Sequence, residues 1–256
     1  YWNGGIFISR TSVLLGEMER ELTQISALAD EGDVTYETLR TKVTLNKRFG
    51  RLREAAEVAK QGTMIKDNTS ANPWFDSAVL FLFAGEEEKY RQHCQEFANW
   101  VEATSTALKQ DKLIKSCLLL PDTIPLSILP IEPLRETAKS EGAYRTFFRG
   151  CCALYSYREG DYGDARRWVS MAGPGRDEAN TLVALVSAMT EFQLGESTKA
   201  RDLLERASAS IPPELRDLGS PQFDDKLPLD AKTIDVNWLI AELLRREAAA
   251  LILDSE

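Results

Sequence analysis

Apolar positions recur along the chain at helical spacing, and no stretch alternates long enough to suggest a strand. Ala165, Trp168, Val169 and Ala172 stand at i, i+3, i+4 and i+7, and Ala200, Leu203, Leu204 and Ala207 repeat the pattern. Each set puts one apolar stripe on a helix. Ser12 to Asp30 carries Leu15, Met18, Leu22, Ile25 and Ala29 on one side. Asp230 to Leu253 carries Ile234, Trp238 and Leu244 inward, with Arg245, Arg246 and Glu247 outward. Between these, Pro213, Gly219, Pro221 and Pro228 break the pattern and predict a long loop over residues 213–229. The pattern as a whole predicts an all-α fold.

Glycines punctuate the helices in a fixed frame. Gly50, Gly85, Gly160 and Gly195 are separated by 35, 75 and 35 residues, and 75 is two such periods with five residues to spare. Each opens a related hexamer: Gly50-Arg-Leu-Arg-Glu-Ala55, Gly85-Glu-Glu-Glu-Lys-Tyr90, Gly160-Asp-Tyr-Gly-Asp-Ala165 and Gly195-Glu-Ser-Thr-Lys-Ala200. A glycine that ends one helix in the left-handed conformation, followed by a small residue where the next helix must approach closely, is the logic of a helix–turn–helix hairpin. Tyr90 replaces the small residue in the second hexamer, so packing there must differ. Seven residues before each glycine stands Val43, Ala78, Ala153 or Ala188.

This frame resembles the tetratricopeptide repeat family, whose period is about 34 residues. Trp74 stands eleven residues before Gly85, where that pattern has its Trp, and Pro212 stands five after Ala207, where it has its Pro. The resemblance covers residues 34–212 and implies about five repeats, at 34–69, 70–105, 106–142, 143–177 and 178–212. The middle repeat lacks the glycine. It would use a helix around Asp111 to Leu120, a Pro-rich loop from Pro121 to Pro130 that takes up the extra residues, and a helix around Ile131 to Glu141. The expected architecture is a right-handed α-solenoid, with residues 1–33 and 230–256 as capping helices.

A narrower likeness lies within it. Lys115-Ser-Cys117-Leu-Leu-Leu-Pro121-Asp122, preceded by Tyr90-Arg-Gln-His-Cys94 and followed by the Gly160 and Gly195 hexamers and by Leu244-Arg-Arg-Glu-Ala248, is similar to the tetratricopeptide tail of large bacterial serine/threonine protein kinases. That likeness spans about residues 74–253. It implies a cytoplasmic, kinase-associated module whose partner is a protein or peptide, with its own kinase domain or the kinase's substrates as candidates. The chain itself holds no G-x-G-x-x-G loop, no H-R-D and no D-F-G, so no enzymatic activity is expected of it. Because the chain begins at Tyr1, a fragment of a longer polypeptide is expected.

Stacked hairpins bind partners on a concave inner wall formed by the first helix of each pair. By register, that wall would include Arg40, Thr44 and Lys47, then Phe75, Val79 and Leu82, then Phe147, Leu154 and Tyr157, then Leu185, Met189 and Phe192. Exposed apolar residues at these positions would form an interaction surface. The same residues packed against a neighbouring helix would be core instead. No Lys and Asn arrangement for holding a C-terminal carboxylate stands out among them.

Charge and rare residues narrow the chemistry. The net charge is −9, which disfavours non-specific binding to nucleic acid or an anionic membrane. One basic cluster runs against it: Arg40, Lys42, Lys47, Arg48, Arg51 and Arg53. It reads either as a docking site for an acidic or phosphorylated segment, as a nucleic-acid contact, or as a solvated face paired with glutamates of adjacent helices. The longest apolar run, Ala78 to Ala84, is far too short to span a bilayer. His93 is the one histidine, which removes most Ser-His-Asp, Cys-His and His-rich metal schemes. Cys94, Cys117, Cys151 and Cys152 form no C-x-x-C pair and read as buried thiols. Glu86-Glu87-Glu88 fits the first turn of a helix, and Gly173-Pro174-Gly175 lacks the G-K-[ST] of a phosphate loop. No cofactor or metal is expected. Trp2, Ile6, Phe7 and Ile8 are apolar for a terminus, which leaves a self-associating adaptor as the alternative to a kinase tail.

Overall fold

The computed structural model of the protein describes residues 16–18, 20, 23, 35–65, 68–101, 105–218 and 229–254. Among them every regular element is helical and about 74% of residues are in helices. In chain order these are α1 (Tyr36–Arg48), α2 (Leu52–Gly62), α3 (Asn72–Phe83), α4 (Glu87–Trp100), α5 (Ala107–Cys117), a 3₁₀ turn at Leu126–Ile128, α6 (Ile131–Ala138), α7 (Arg145–Glu159), α8 (Tyr162–Met171), α9 (Asp177–Gln193), α10 (Ser197–Ser210), α11 (Glu214–Asp217) and α12 (Val236–Leu253). Within the expected N-terminal helix, Gly16, Glu17, Met18, Arg20 and Thr23 are helical, and Met18 packs on Leu45 and Phe49. The rest of that segment, including Trp2, Ile6, Phe7 and Ile8, lies outside the described residues.

The four glycines of the 35-residue frame close four copies of one turn. Their φ angles are 68°, 75°, 82° and 84° at Gly50, Gly85, Gly160 and Gly195. In each, the glycine N–H donates to the carbonyl three residues back (Lys47, Leu82, Tyr157, Phe192). The next N–H donates to the carbonyl five residues back (Asn46, Phe81, Ser156, Glu191). This pair of bonds is the Schellman ending, and it satisfies carbonyls that the helix would otherwise leave open. The register residues on both sides are buried: Val43, Ala78, Ala153 and Ala188 before each turn, Ala55, Tyr90, Ala165 and Ala200 after it. Tyr90 fits where the others are Ala because its hydroxyl donates to the Ser116 carbonyl at 2.6 Å, which turns its extra bulk towards α5.

Successive helices from α1 to α10 touch one another in order, and a second set of contacts links α3 to α5, α5 to α7 and α7 to α9. The middle pair departs from the frame as its sequence suggests. Cys117 ends α5, and Asp122, the one non-glycine residue with positive φ among the described residues (54°), turns the chain into the proline-rich loop. Arg149 then ties three elements: its guanidinium donates to Ala138 O at the end of α6 (2.8 Å) and to Met171 O at the end of α8.

The C-terminal helix α12 starts at Val236, six residues later than the sequence suggests, because Asp235 caps it by accepting from Asn237 N at 2.9 Å. It packs against α9 and α10 and also reaches back to α3. Trp238, Leu239, Ile240, Ala241, Glu242, Leu244, Ala248 and Ile252 are all buried. A helix with one buried stripe would show three or four such residues over two turns. Residues 238–242 are instead buried without a break, so α12 is enclosed from more than one side. One apolar cluster joins it to α2, α3, α5, α7 and α9.

Candidate functional site

The twelve positions predicted for the inner wall divide into two groups. Phe75, Val79, Phe147, Leu154, Leu185 and Met189 are buried, and Leu82, Tyr157 and Phe192 are partly buried. Phe75, Val79, Leu154, Leu185 and Met189 belong to the same cluster as Leu239, Ile240, Leu244, Ala248 and Ile252 of α12. The apolar part of the wall is therefore covered within the chain rather than open to solvent. Polar contacts clamp α12 in place. Arg158 of α7 forms a two-pronged ion pair with Glu247 and donates to Leu118 O at 2.8 Å. Arg246 lies over the Phe83 ring, 4.7 Å from its centre. Ahead of the helix, Arg48 Nε donates to Leu229 O (2.9 Å) while Leu229 N donates to Arg48 O (2.8 Å). Glu242, with no exposed side-chain surface, is held by Arg245 and Arg246 of its own helix.

The polar positions behave differently. Arg40, Thr44 and Lys47 of α1 line a cleft of about 430 Å³, opposite Asn72, Phe75 and Asp76 of α3, Lys112 of α5, Ala231, Ile234 and Asp235 ahead of α12, and Val236 and Asn237 in its first turn. Lys47 is only 9% exposed, and its ammonium has no hydrogen bond or ion pair. Burial pushes the Asp76 carboxyl up despite the nearby Lys47 and Lys112 charges. Burial likewise lowers Lys112, against the pull of Asp76 and Asp111. The Lys112 ammonium donates to the Asn72 side-chain oxygen.

Sequence reasoning missed Asn72, Asp76 and Lys112. Asp76 follows Phe75 on α3 and both line the cleft, but the register of the wall picks out only the apolar one. Lys112 lies in the repeat without a glycine, where no register was available.

The basic cluster from Arg40 to Arg53 does not act as a unit. Arg53 pairs with Glu86 at 2.5 Å, Arg51 lies over Phe49 and Arg48 is bound to Leu229. Only Arg40 and Lys47 turn into the cleft. Glu86 caps α4 and Glu87 and Glu88 fill its first turn, where the helix dipole favours acids. Gly175 packs against Thr146, whose hydroxyl lies 3.2 Å from both the Ala172 and Pro174 carbonyls.

His93 is a structural residue. Its Nε2 lies 3.0 Å from Trp74 O and 2.6 Å from Ser77 Oγ. A carbonyl can only accept, so Nε2 carries the proton. Nδ1 is buried with no hydrogen-bond partner, and Glu96 is 3.9 Å away. The ring stacks on Trp74, which also stacks on Phe97. Burial lowers its pKa from 6.5 to about 4, with Lys60 adding to the effect and Trp74 O and Glu96 opposing it.

Below pH 6.5 the unfolded chain binds a proton at His93 that the folded chain refuses, so stability falls with acid until about pH 4. The full window corresponds to about 3 kcal/mol. A His93→Asn variant, compared with the parent by urea unfolding between pH 7 and pH 4, should lose this slope. An identical slope in both would assign it to other groups.

The thiols have the opposite problem for chemistry. Burial drives Cys117 and Cys151 well above the ordinary thiol range and Cys152 to about 12, so none of the three is poised as a thiolate. No group of three metal-ligating side chains occurs among the described residues, and no described helix is long and apolar enough to cross a membrane. No protein-family model matches the chain, and neither a curated protein nor a solved structure shows significant similarity to it.

Proposed function

We propose that this chain is a non-catalytic protein-interaction module: a tetratricopeptide-like α-solenoid of about five helix pairs, serving as the regulatory or recruiting tail of a cytoplasmic bacterial serine/threonine protein kinase. One observation carries the interaction reading. The chain's own helix α12 packs on α3 and α9, two of the four helices expected to line the wall, which supports an apolar helix as occupant. The four identical glycine turns in a 35-residue frame support the repeat reading. The kinase attachment rests on sequence likeness alone, in the Lys115–Asp122 stretch together with Tyr90–Cys94, the Gly160 and Gly195 hexamers and Leu244–Ala248.

A partner that uses the wall must compete with α12. In this reading the tail is closed at rest, and a kinase domain or substrate offering an apolar helix exchanges with the resident one. Capture would raise the local concentration of kinase and target. The test has two parts. Reading the coding region upstream of Tyr1 should reveal a kinase core, and a complete frame without one removes the kinase part. Hydrogen exchange on the full chain, with and without that kinase domain in excess, should show α12 losing protection when the domain binds. Binding with α12 unchanged would place the partner elsewhere.

A further inference from the structure

The cleft beside α12 has a chemistry unlike the rest of the wall. Three cationic side chains from two helices line it: Arg40 and Lys47 from α1 and Lys112 from α5. Two carboxylates face them, Asp76 and Asp235. Asp235 is committed, since its Oδ1 accepts from Asn237 N and from Asn237 Nδ2, both at 2.9 Å. Arg40 is held only by exposed Glu37, at 3.4 Å. Lys47 has no hydrogen bond or ion pair to any described residue, and only its charge acts on Asp76. Its mostly shielded side chain lines the cleft rather than a packed core.

We propose that this cleft binds a phosphomonoester-type oxyanion, held by Lys47, Lys112 and Arg40 across the junction between α1, α3 and α12. Shape and charge favour a tetrahedral oxyanion over a carboxylate. Three separate cationic donors line the cleft, and a phosphoryl group offers three terminal oxygens where a carboxylate offers two. Three cations against two carboxylates leave a net positive site, which attracts a dianion. The Asn72 side-chain amide adds a neutral donor, while the Thr44 hydroxyl is spent on Arg40 O. The cleft includes Ala231 to Asn237, so a bound oxyanion would also fasten the approach to α12. This assignment is independent of the interaction reading above, because it concerns the polar end of the wall and not its apolar face.

Isothermal titration calorimetry on the full chain tests it, with inorganic phosphate and phenyl phosphate as probes and potassium chloride at equal ionic strength as control. Saturable phosphate binding is expected. Lys47→Met and Lys112→Gln should each weaken it roughly tenfold or more, while Arg53→Gln, outside the cleft, should leave it unchanged. Tighter binding of phenyl phosphate would identify an ester-borne phosphoryl group, and tighter binding of inorganic phosphate the free ion. Thermal unfolding without phosphate reports whether each variant is folded, and the half-exposed Lys112 position keeps the test decisive should Lys47→Met not fold. No saturable heat beyond the chloride control, equal affinity in both lysine variants, or binding of succinate in place of phosphate would overturn the proposal.

Discussion

Replacing Ile240 with Asp should release α12 from the body of the protein and cost at least about 4 kcal/mol of stability. Ile240 lies in the second turn of the helix with no exposed surface, beside Leu239 and Ala241, which are equally buried. Truncating such a side chain to Ala alone removes roughly 2–5 kcal/mol through lost transfer energy and the cavity left behind. A carboxylate adds the cost of burying a charge with no partner. The chain can avoid that cost by leaving α12 in water, so undocking is the expected response. Hydrogen exchange should then show protection lost along residues 236–253, together with the end of α3 around Phe83, where Arg246 now rests. Ile240→Val, which keeps the shape, should lose only about 1 kcal/mol and keep α12 docked. A parent-like urea midpoint for Ile240→Asp would mean that α12 contributes little to the fold, and the closed-tail reading would fail with it.

Two kinds of contact hold α12, and they respond to different conditions. The apolar cluster is insensitive to salt. The Arg158–Glu247 pair is mostly shielded on the arginine side, with 7% and 26% of the two side chains exposed, so salt screens it less than a surface pair. Arg158 also donates to the Leu118 carbonyl at the end of α5, so the clasp reports on α5 as well as on α12. An incoming helix that matched the apolar face but lacked an acid opposite Arg158 would leave that guanidinium without its carboxylate. Specificity for the resident helix follows from this mismatch, since an unpaired buried charge costs more than a missing apolar contact.

The turns were legible in the sequence because their chemistry is local. A glycine at φ near +80°, an Ala where two helices meet and an apolar residue one helical heptad upstream each have a reason that needs only a few neighbouring residues. The Pro121–Pro130 loop was legible for the same reason. The fate of the wall was not. Val79, Leu185 and Met189 carry the same apolar pattern whether a partner's helix or the chain's own α12 covers them. Which one does so depends on the path from Leu218 to Leu229 and on contacts some 89 residues apart, such as Arg158 with Glu247. The cleft was half legible. Arg40, Thr44 and Lys47 follow from register, but Asp76, Lys112 and Asp235 join them only after four segments have packed. Charge clusters in sequence were also a poor guide, since neighbours Arg48, Arg51 and Arg53 point to three different partners.

The second large effect is expected at a buried ion pair that the sequence pattern disguises as two ordinary surface charges. Asp111 and Lys115 stand four apart on α5, with 5% and 3% of their side chains exposed and 3.0 Å between them. The Lys115 ammonium lies between the Phe75 and Phe147 rings, 5.1 Å and 4.7 Å from their centres. The other Asp111 oxygen, Oδ1, is buried without a hydrogen-bond partner. Among the described residues Lys115 alone forms an ion pair with Asp111, and Lys112 acts on it only through its charge. Lys115→Met keeps the apolar stem between the rings but strands the carboxylate, which should cost about 3–5 kcal/mol at pH 7. The double change Asp111→Asn with Lys115→Met removes both charges and should recover most of that loss.

The double variant separates a stranded charge from simple mispacking. If the penalty lies in an uncompensated Asp111 carboxylate, replacing that carboxylate restores stability although Lys115 is already Met. If Lys115 acts through packing between the Phe75 and Phe147 rings, removing the carboxylate returns nothing, because the rings have lost the same neighbour in both variants. Urea unfolding of the parent, the single and the double variant at pH 7 measures the difference. A double variant no more stable than the single one would show that Lys115 acts through packing between the two rings and not through its charge.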